Sequence, residues 1–231
     1  ALGTSDRVGE IVSAPGGGNL ADNAIFTVSD IDLSWNTSNE APAGYRGKIL
    51  PTKNSTITVS ALPFIYRPGS KTLISSGSLI FNWFMNDKLQ SEKSGAGKSD
   101  LSFRVDSFPG SDIELRLEIL TEDKTISLNK FITIPVVRPQ TFIYKNLIIK
   151  STTDKSLDFT AENYFFNVPS KNLKWQWFIN NKEVTGGGEK PWLASLNLSN
   201  ISRPFSAQVQ VIVKNPANDL ETAQSTVNLN D

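Results

Sequence analysis

Hydrophobic and polar residues alternate along most of the chain with the period of two that is typical of β-strands. For example, Ile113, Leu115 and Leu117 are separated by Glu114 and Arg116, which gives one apolar face and one polar face. Similar short segments recur along the chain, separated by Pro, Gly, Asn and Asp, and no long segment shows a helical period. The pattern predicts an all-β protein made of antiparallel β-sandwiches.

The pattern also repeats within the chain. The segment 79–87 aligns with the segment 173–181, and the offset is 94 residues, as from Trp83 to Trp177. The same offset relates the alternating segments around 115–119 and 209–213. A repeat of this length predicts two tandem β-sandwich domains of the same plan.

The repeat divides the chain into three parts. We predict an N-terminal arm over residues 1–30, a first β-sandwich domain over 31–137 and a second one over 138–231. A Pro- and Gly-rich excursion over 36–54 is predicted to be a loop inserted into the first domain. The junction is expected to be short and semi-rigid, because Pro139 fixes its own φ and has no backbone donor.

Four aromatic residues of the repeated strand are predicted core residues. Trp83 and Trp177 occupy the third main strand of each repeat, where a tryptophan fills the space between the sheets of immunoglobulin-type sandwiches. Phe81 and Trp175 lie two positions earlier, on the same strand face. We therefore assign all four to the structural core.

Other aromatic residues are candidates for a contact surface. Phe84 and Phe178 point away from the core tryptophans, and either local covering or a contact between chains explains them. Tyr45 and Trp192 are further candidates for this surface. Together with Trp35, they are also candidates for stacking on sugar rings.

Composition excludes several kinds of chemistry. The chain has 231 residues, with no cysteine and no histidine. A thiol nucleophile, a disulfide, a Cys/His zinc site and an imidazole base are therefore impossible. We predict no catalytic, cofactor-binding or metal-binding residue, and hence no enzyme and no cofactor.

Charge and hydropathy narrow the range of partners. Lys plus Arg and Asp plus Glu each number 23, so the net charge is zero. The chain therefore lacks the excess of basic residues that is expected of a nucleic-acid binder. No apolar run approaches the roughly 20 residues of a membrane helix, so no membrane insertion by this segment is expected. The start at Ala1 fits a processed chain or a trimmed one.

Two motifs suggest ligands but have a simpler interpretation. Ser94–Ser99 looks like the end of a phosphate-binding loop, yet Glu92 stands where the Walker pattern needs glycine, and a strand pattern follows. We interpret it as a loop of the sandwich. Asp30 and Asp32 are spaced for one strand face, but no dense acidic loop supplies the oxygens that calcium requires.

Four Asn-x-Ser/Thr triplets are candidate glycosylation sites, relevant only in a host that glycosylates them. The acceptor residues are Asn36, Asn54, Asn197 and Asn200.

The segments 83–87 and 177–181 resemble the Trp-x-x-Asn-Gly segment of immunoglobulin-like and PKD-like modules of prokaryotic cell-surface proteins. Asp87 and Asn181 replace the usual glycine, although both residue types tolerate tight turns. Leu33–Trp35, Gly44–Pro51 and Ser60–Pro63 are similar to tandem immunoglobulin-like exported proteins of ultra-small, reduced-genome bacteria. The resemblance implies two tandem antiparallel immunoglobulin-like β-sandwich domains, over 31–137 and 138–231, and exposure at the cell surface.

The first functional hypothesis is a non-enzymatic extracellular protein with a structural or adhesive role, which self-assembles into a filament or layer. Its partners would be copies of itself or other surface proteins. The alternatives are a module that binds glycans or proteins, and an accessory region of a larger surface protein.

Overall fold

The computed structural model describes residues 5–13, 19–27, 29–67, 69–149, 155–199 and 204–230. Ten strands precede residue 136: β1 (Ser5–Ser13), β2 (Asn19–Thr27), β3 (Asp30–Thr37), β4 (Thr56–Phe64), β5 (Leu79–Met85), β6 (Lys88–Leu89), β7 (Gly95–Ala96), β8 (Asp100–Arg104), β9 (Asp112–Thr121) and β10 (Ser127–Pro135). Seven follow: β11 (Gln140–Ile149), β12 (Lys155–Tyr164), β13 (Lys174–Ile179), β14 (Lys182–Val184), β15 (Leu193–Asn197), β16 (Ser206–Asn215) and β17 (Asn218–Asn230). Short 3-10 helices span Ser76–Ser78, Ser91–Lys93 and Ser170–Asn172.

The strands form two sandwiches of equivalent strand order. In the first, a sheet β3-β4-β8 accompanies a sheet β10-β9-β5-β6, in which β7 also pairs with β5. In the second, a sheet β11-β12-β15 accompanies a sheet β14-β13-β16-β17. This arrangement of three strands and four strands is that of immunoglobulin-like and fibronectin type III-like sandwiches, so the predicted fold class is confirmed. Within the predicted arm, β1 and β2 pair antiparallel.

The two sandwiches share one register around the repeated tryptophan. Trp83 lies opposite Leu117, and Trp177 lies opposite Val211, in antiparallel pairs that differ by the same offset as the sequence repeat. Both tryptophans are buried, and each indole Nε1 donates a 2.9 Å hydrogen bond to a backbone carbonyl, that of Lys98 in one and of Pro191 in the other. The sequence repeat is therefore also a repeat of contacts.

The turn that follows the tryptophan is the same in both sandwiches. Asn86 and Asp87 have φ values of 48° and 60°, and Asn180 and Asn181 have values of 49° and 64°. Two successive left-handed residues make the tight turn that suits the twist of a β-hairpin, and Asn and Asp tolerate that conformation. The side-chain oxygen of each first Asn accepts from a backbone N–H of the neighbouring strand.

Contacts divide the chain into two compact units. The first unit takes the described residues of 1–36, 58–103 and 113–134, and the second takes those of 37–57, 104–112 and 135–231. The excursion predicted as an inserted loop thus belongs almost wholly to the second unit by its contacts. The domain boundaries at 30 and 137 stay predictions from the sequence.

The core of the second unit follows the alternation of its strands. Val209, Val211 and Val213 of β16 are fully buried beside Trp177, and Phe159 of β12 is buried within the same cluster. Intervening positions of β16 are more exposed. Burial of each large apolar side chain of these strands stabilises the folded state by roughly 1.5–3 kcal/mol.

Candidate functional site

Three of the four predicted core residues are buried, whereas Trp175 is half-buried like the predicted surface residue Trp192. Phe81, Trp83 and Trp177 are at most 1% exposed. Trp175 is only partly buried, packs against the core of the second unit, and donates from Nε1 to the carbonyl of Ser170. Its ring lies 6.4 Å from that of Trp192.

The outward aromatics of the repeated strand are both half-buried. The guanidinium of Arg116 lies 3.6 Å from the ring centroid of Phe84, so this ring is covered by a cation–π contact from β9. Phe178 lies opposite Gln210 of β16 and Glu183 of β14. The contact at Phe84 supports local covering as its explanation.

A buried carboxylate organises the second unit in a way that the sequence did not reveal. Glu221 is 1% exposed, and its Oε1 accepts from Thr52 Oγ1 and from the backbone N–H of Asn167, each at 3.0 Å. Its Oε2 accepts from Asn215 Nδ2 at 2.5 Å. Since an unpaired buried polar group costs about 1–3 kcal/mol, these donors stabilise the carboxylate and are stabilised by it.

The same network fixes the segment 37–57 to the strands of the second unit. Asn39 Nδ2 donates to Thr52 Oγ1 at 2.8 Å and to the carbonyl of Phe165 at 2.6 Å. Glu40 and Phe166 form a β-bridge, and the N–H of Phe165 donates to the carbonyl of Glu40. These bonds hold Phe165 at a φ of 64°, which is unusual for a bulky residue.

The segment fixed in this way forms one wall of a cavity of about 400 Å³. Residues 160–163 of β12 form another part of the wall, and Phe166, Ser170 and Trp192 also line the cavity. The indole of Trp192 and the carboxylate of Glu162 are half-buried. The cavity is therefore bounded by the segment around Glu40, by the end of β12 and by Trp192.

Asn163 is the exceptional residue of this cavity. The residue is 7% exposed, both amide atoms of its side chain are buried, and within the described part of the chain neither Nδ2 nor Oδ1 has a hydrogen-bond partner. Buried carboxamides are normally paired, because transfer from water without compensation is unfavourable. The unpaired amide is therefore an unfavourable feature of the packing in the second unit.

Aromatic rings cover the outer face of β11 and β12 beside this cavity. Tyr164 contacts Tyr45, Phe142 and Phe165 edge-to-face, at centroid distances of 5.6, 5.5 and 6.2 Å. Phe142 and Tyr144 alternate on β11 and are 46% and 47% exposed. We call Tyr45, Phe142, Tyr144 and Tyr164 the aromatic face.

Glu162 links the aromatic face to the cavity. Tyr164 Oη donates to Glu162 Oε2 at 3.2 Å. A hydrogen bond with Tyr144, burial, and the Glu162 carboxylate raise the pKa of Tyr164 above its ordinary value. The Tyr164 phenol therefore stays protonated across the physiological range and serves as a donor.

Sequence analysis named Tyr45 and Trp192 but missed Phe142, Tyr144, Tyr164 and Asn163. Phe142 and Tyr144 carried a usable signal, since they alternate on one strand face. Asn163 gave none, because an unpaired amide becomes apparent only when every neighbour is placed.

The loop that resembles a phosphate site is part of the first unit's sheet. Gly95 and Ala96 form β7 and pair with β5, and Lys98 Nζ donates to the carbonyl of Glu92 at 2.8 Å. Asp30 forms a 3.0 Å ion pair with Lys130. Over the described ranges, no group of three or more acidic, His or Cys side chains is arranged to hold a metal ion.

The candidate glycosylation residues differ in accessibility. Asn36 and Asn197 are exposed, and Asn197 Oδ1 accepts from the N–H of Ser199. Asn54 is half-buried at a φ of 73°. Asn200 lies outside the described residues. None of the helices in the described part is long and apolar enough to cross a membrane.

No protein-family model matches the sequence, and no curated protein matches it either. Solved β-sandwich structures do align with it. Fibronectin(III)-like modules of Clostridium thermocellum CbhA align at 11% identity over 82% of this chain and 91% of theirs, with a TM-score of 0.29. The FN1–FN3 domains of chicken CNTN1 align at 12% identity over 97% and 77%, also with a TM-score of 0.29.

The D1–D4 ectodomain fragment of ICAM-5 aligns at 10% identity with a TM-score of 0.28. The alignment covers 98% of this chain, which spans 60% of that fragment. The fold assignment rests on the strand order and register described above.

Proposed function

We propose that the chain is a non-enzymatic, extracellular protein with a structural or adhesive role, and that it associates with further copies of itself. The aromatic face of the second unit is the observation that carries this proposal. Phe142 and Tyr144 are nearly half exposed on β11, the outer strand of the sheet β11-β12-β15. Exposed aromatic rings next to an outer strand are typical of contact surfaces between proteins.

An outer strand also offers a second means of association. Backbone N–H and C=O groups on the free edge of an outer strand can pair with a strand from another chain, and the neighbouring side chains provide selectivity. The aromatic face is held in place by the bonds that fix the segment around Glu40 to Phe165 and Phe166. Fixed rings lose little conformational entropy on binding, which favours association.

The cellular setting belongs to the same proposal. The resemblance of the Trp83 and Trp177 segments to prokaryotic surface modules supports a place on the outside of a cell, such as an ultra-small bacterium. Repeated self-association there would build a filament or a layer. Other surface proteins are the alternative partners.

Sedimentation velocity over a wide concentration range tests self-association. We expect the weight-average sedimentation coefficient to rise with concentration for the natural sequence. The Phe142→Ser/Tyr144→Ser double variant should remain at the monomer value, while the control Phe131→Ser, which changes an exposed aromatic of β10, should behave like the natural sequence. A natural chain that stays monomeric at the highest concentration contradicts the proposal.

A further inference from the structure

We propose that the outer face of the sheet β10-β9-β5-β6 in the first unit is a docking surface for a basic segment of another protein. Asp87, Leu89, Glu114 and Phe131 form this docking face, and all four are exposed. The inference goes beyond the proposed self-association, because it concerns the other unit and a partner of different chemistry.

The side chains of Glu114 and Phe131 lie on the same face of the sheet. Glu114 and Arg116 alternate with buried residues on β9, so both point outward. Arg116 Nη1 donates to Asn129 Oδ1 of β10 at 3.4 Å, which places Asn129 on this face. Phe131 follows two positions later on the same strand and is 69% exposed. A carboxylate and an aromatic ring therefore face solvent together.

The turn between β5 and β6 brings a second carboxylate to this place. The N–H of Asn86 donates to the carbonyl of Glu114 at 2.9 Å, and the N–H of Glu114 donates to Asn86 Oδ1 at 3.2 Å. Asp87 follows Asn86 directly, and Asp87, Glu114 and Phe131 line one cavity of about 290 Å³. Because pockets for drug-sized ligands have roughly 300–1,000 Å³, this space suits a single side chain of a partner.

Charge selects the partner. Within the described part of the chain, no hydrogen bond or ion pair engages the carboxylate of Asp87 or that of Glu114. The guanidinium of Arg116, which also lines the cavity, lies 3.6 Å from the ring centroid of Phe84 and is engaged there. A Lys or Arg side chain from a partner pairs with the two carboxylates and packs on the ring of Phe131. An acidic partner would meet repulsion from both carboxylates.

The second sandwich has the same backbone here without the charges. At the offset of 94 residues, Asn181 stands in place of Asp87 and Gln208 in place of Glu114. The backbone bonds are the same, since the N–H of Asn180 donates to the carbonyl of Gln208 at 2.9 Å and the N–H of Gln208 donates to Asn180 Oδ1 at 2.8 Å. The fold therefore does not require the two carboxylates.

The neighbouring row of side chains differs in the same way. Leu89 lies opposite Phe84 in the first sandwich, and Glu183 lies opposite Phe178 in the second. Leu89 is 46% exposed, whereas the carboxylate of Glu183 accepts from Gln176 Nε2 at 3.3 Å. The first sandwich thus has an exposed apolar side chain where the second has a polar pair. Exposed apolar residues bordered by polar ones are typical of protein contact surfaces.

Fluorescence anisotropy with labelled peptides tests the proposal. The probe is a fluorescein-labelled hexapeptide with Arg and Leu in alternation, compared with counterparts that have Gln or Glu in place of Arg. We expect saturable binding of the Arg peptide and no saturation with the other two. The Asp87→Asn/Glu114→Gln double variant should weaken binding at least tenfold, and Phe131→Ser should weaken it at least threefold.

The matched control removes two exposed carboxylates from the second unit instead. Glu183→Gln/Asp219→Asn should leave the affinity for the Arg peptide unchanged. Circular dichroism of every variant checks the fold, and the Asp87→Asn/Glu114→Gln protein should fold, because the second sandwich already has these amides at the equivalent positions. Three outcomes contradict the proposal: no saturable binding of the Arg peptide, equal weakening by the two double variants, or tighter binding of the Glu peptide.

Discussion

The two sandwiches share the contacts of their core tryptophans and differ in their other buried polar groups. Trp83 and Trp177 occupy the same register and make the same indole hydrogen bond. Among the described residues, the second unit alone has a buried carboxylate, Glu221, and a buried amide without a hydrogen-bond partner, Asn163. Positions that repeat therefore support the fold, and positions that depart from the repeat are where a specific function is to be sought.

Strand β12 shows the difference residue by residue. Ala61 and Ala161 are equivalent, because each donates a 2.9 Å backbone hydrogen bond to the residue that precedes the next strand of its sheet. The acceptors are the carbonyls of Ser99, before β8, and of Trp192, before β15. Two positions later the first sandwich has buried Pro63, where the second has Asn163. Proline has no side-chain polar group to satisfy, whereas asparagine does. At this position the second sandwich therefore has a buried polar side chain, and the first has a buried apolar one.

The largest expected effect tests the shared part of the comparison. Trp83→Ala and Trp177→Ala should each destabilise the protein by about 3–5 kcal/mol, because each removes a fully buried ring from a packed core. Urea unfolding followed by circular dichroism measures both. If one substitution leaves the unfolding midpoint unchanged, the two tryptophans do not have equivalent roles.

The next prediction concerns the second unit. Glu221→Ala should cost about 2–4 kcal/mol, since Thr52, Asn215 and the N–H of Asn167 each lose an acceptor in a buried place.

Glu114→Ala on β9 serves as the matched control for this change. Glu114 is an exposed strand carboxylate, so its loss should change stability by less than about 0.5 kcal/mol. Thermal unfolding measures both losses of stability. Equal decreases in melting temperature for the two variants would contradict a special role of Glu221.

Sequence predicted the repeat because alternation and a buried tryptophan are local signals. It did not predict the Glu221 network, because the bond between Thr52 and Glu221 joins residues that are 169 positions apart. Phe165 likewise gave no sign of its left-handed backbone, which is imposed by bonds to the segment at Asn39 and Glu40. Polar pairing across long separations depends on the final packing, and no periodicity encodes it.

A smaller effect of the opposite sign is expected at Asn163. Asn163→Leu should stabilise the protein by about 1 kcal/mol, because the change removes two unpaired polar atoms from a buried environment. Differential scanning calorimetry measures the change. A clearly lower melting temperature would show that the amide has partners after all.

The smallest expected effect is a change in the pH dependence of stability at Asp123, in the turn between β9 and β10. Asp123 accepts from Thr121 Oγ1 and from the N–H and Oγ1 of Thr125, and these bonds with that of Arg67 hold its pKa below the usual value. A lowered folded-state pKa gives stability that is present above the unfolded-state pKa and lost as pH falls through the folded one.

In the second sandwich, the shorter turn between β16 and β17 begins at Asn215, whose amide does not titrate and whose Oδ1 accepts from the N–H of Ala217. Asp123→Asn should therefore make unfolding less sensitive to pH below about 4. Melting curves from pH 6 to pH 2 check this prediction. An unchanged pH dependence in the variant contradicts it.

Site-directed cross-linking tests the central claim, that the second unit carries the contact surface, most directly. The chain has no cysteine, so one introduced thiol reports a single position. Gln140→Cys lies exposed at the start of β11, and Ser127→Cys lies exposed at the start of β10 as the matched control. After mild oxidation, we predict disulfide-linked dimers of the Gln140→Cys protein in several-fold excess over those of the Ser127→Cys protein. Equal dimer yields from the two, or dimers from Ser127→Cys alone, would contradict the account.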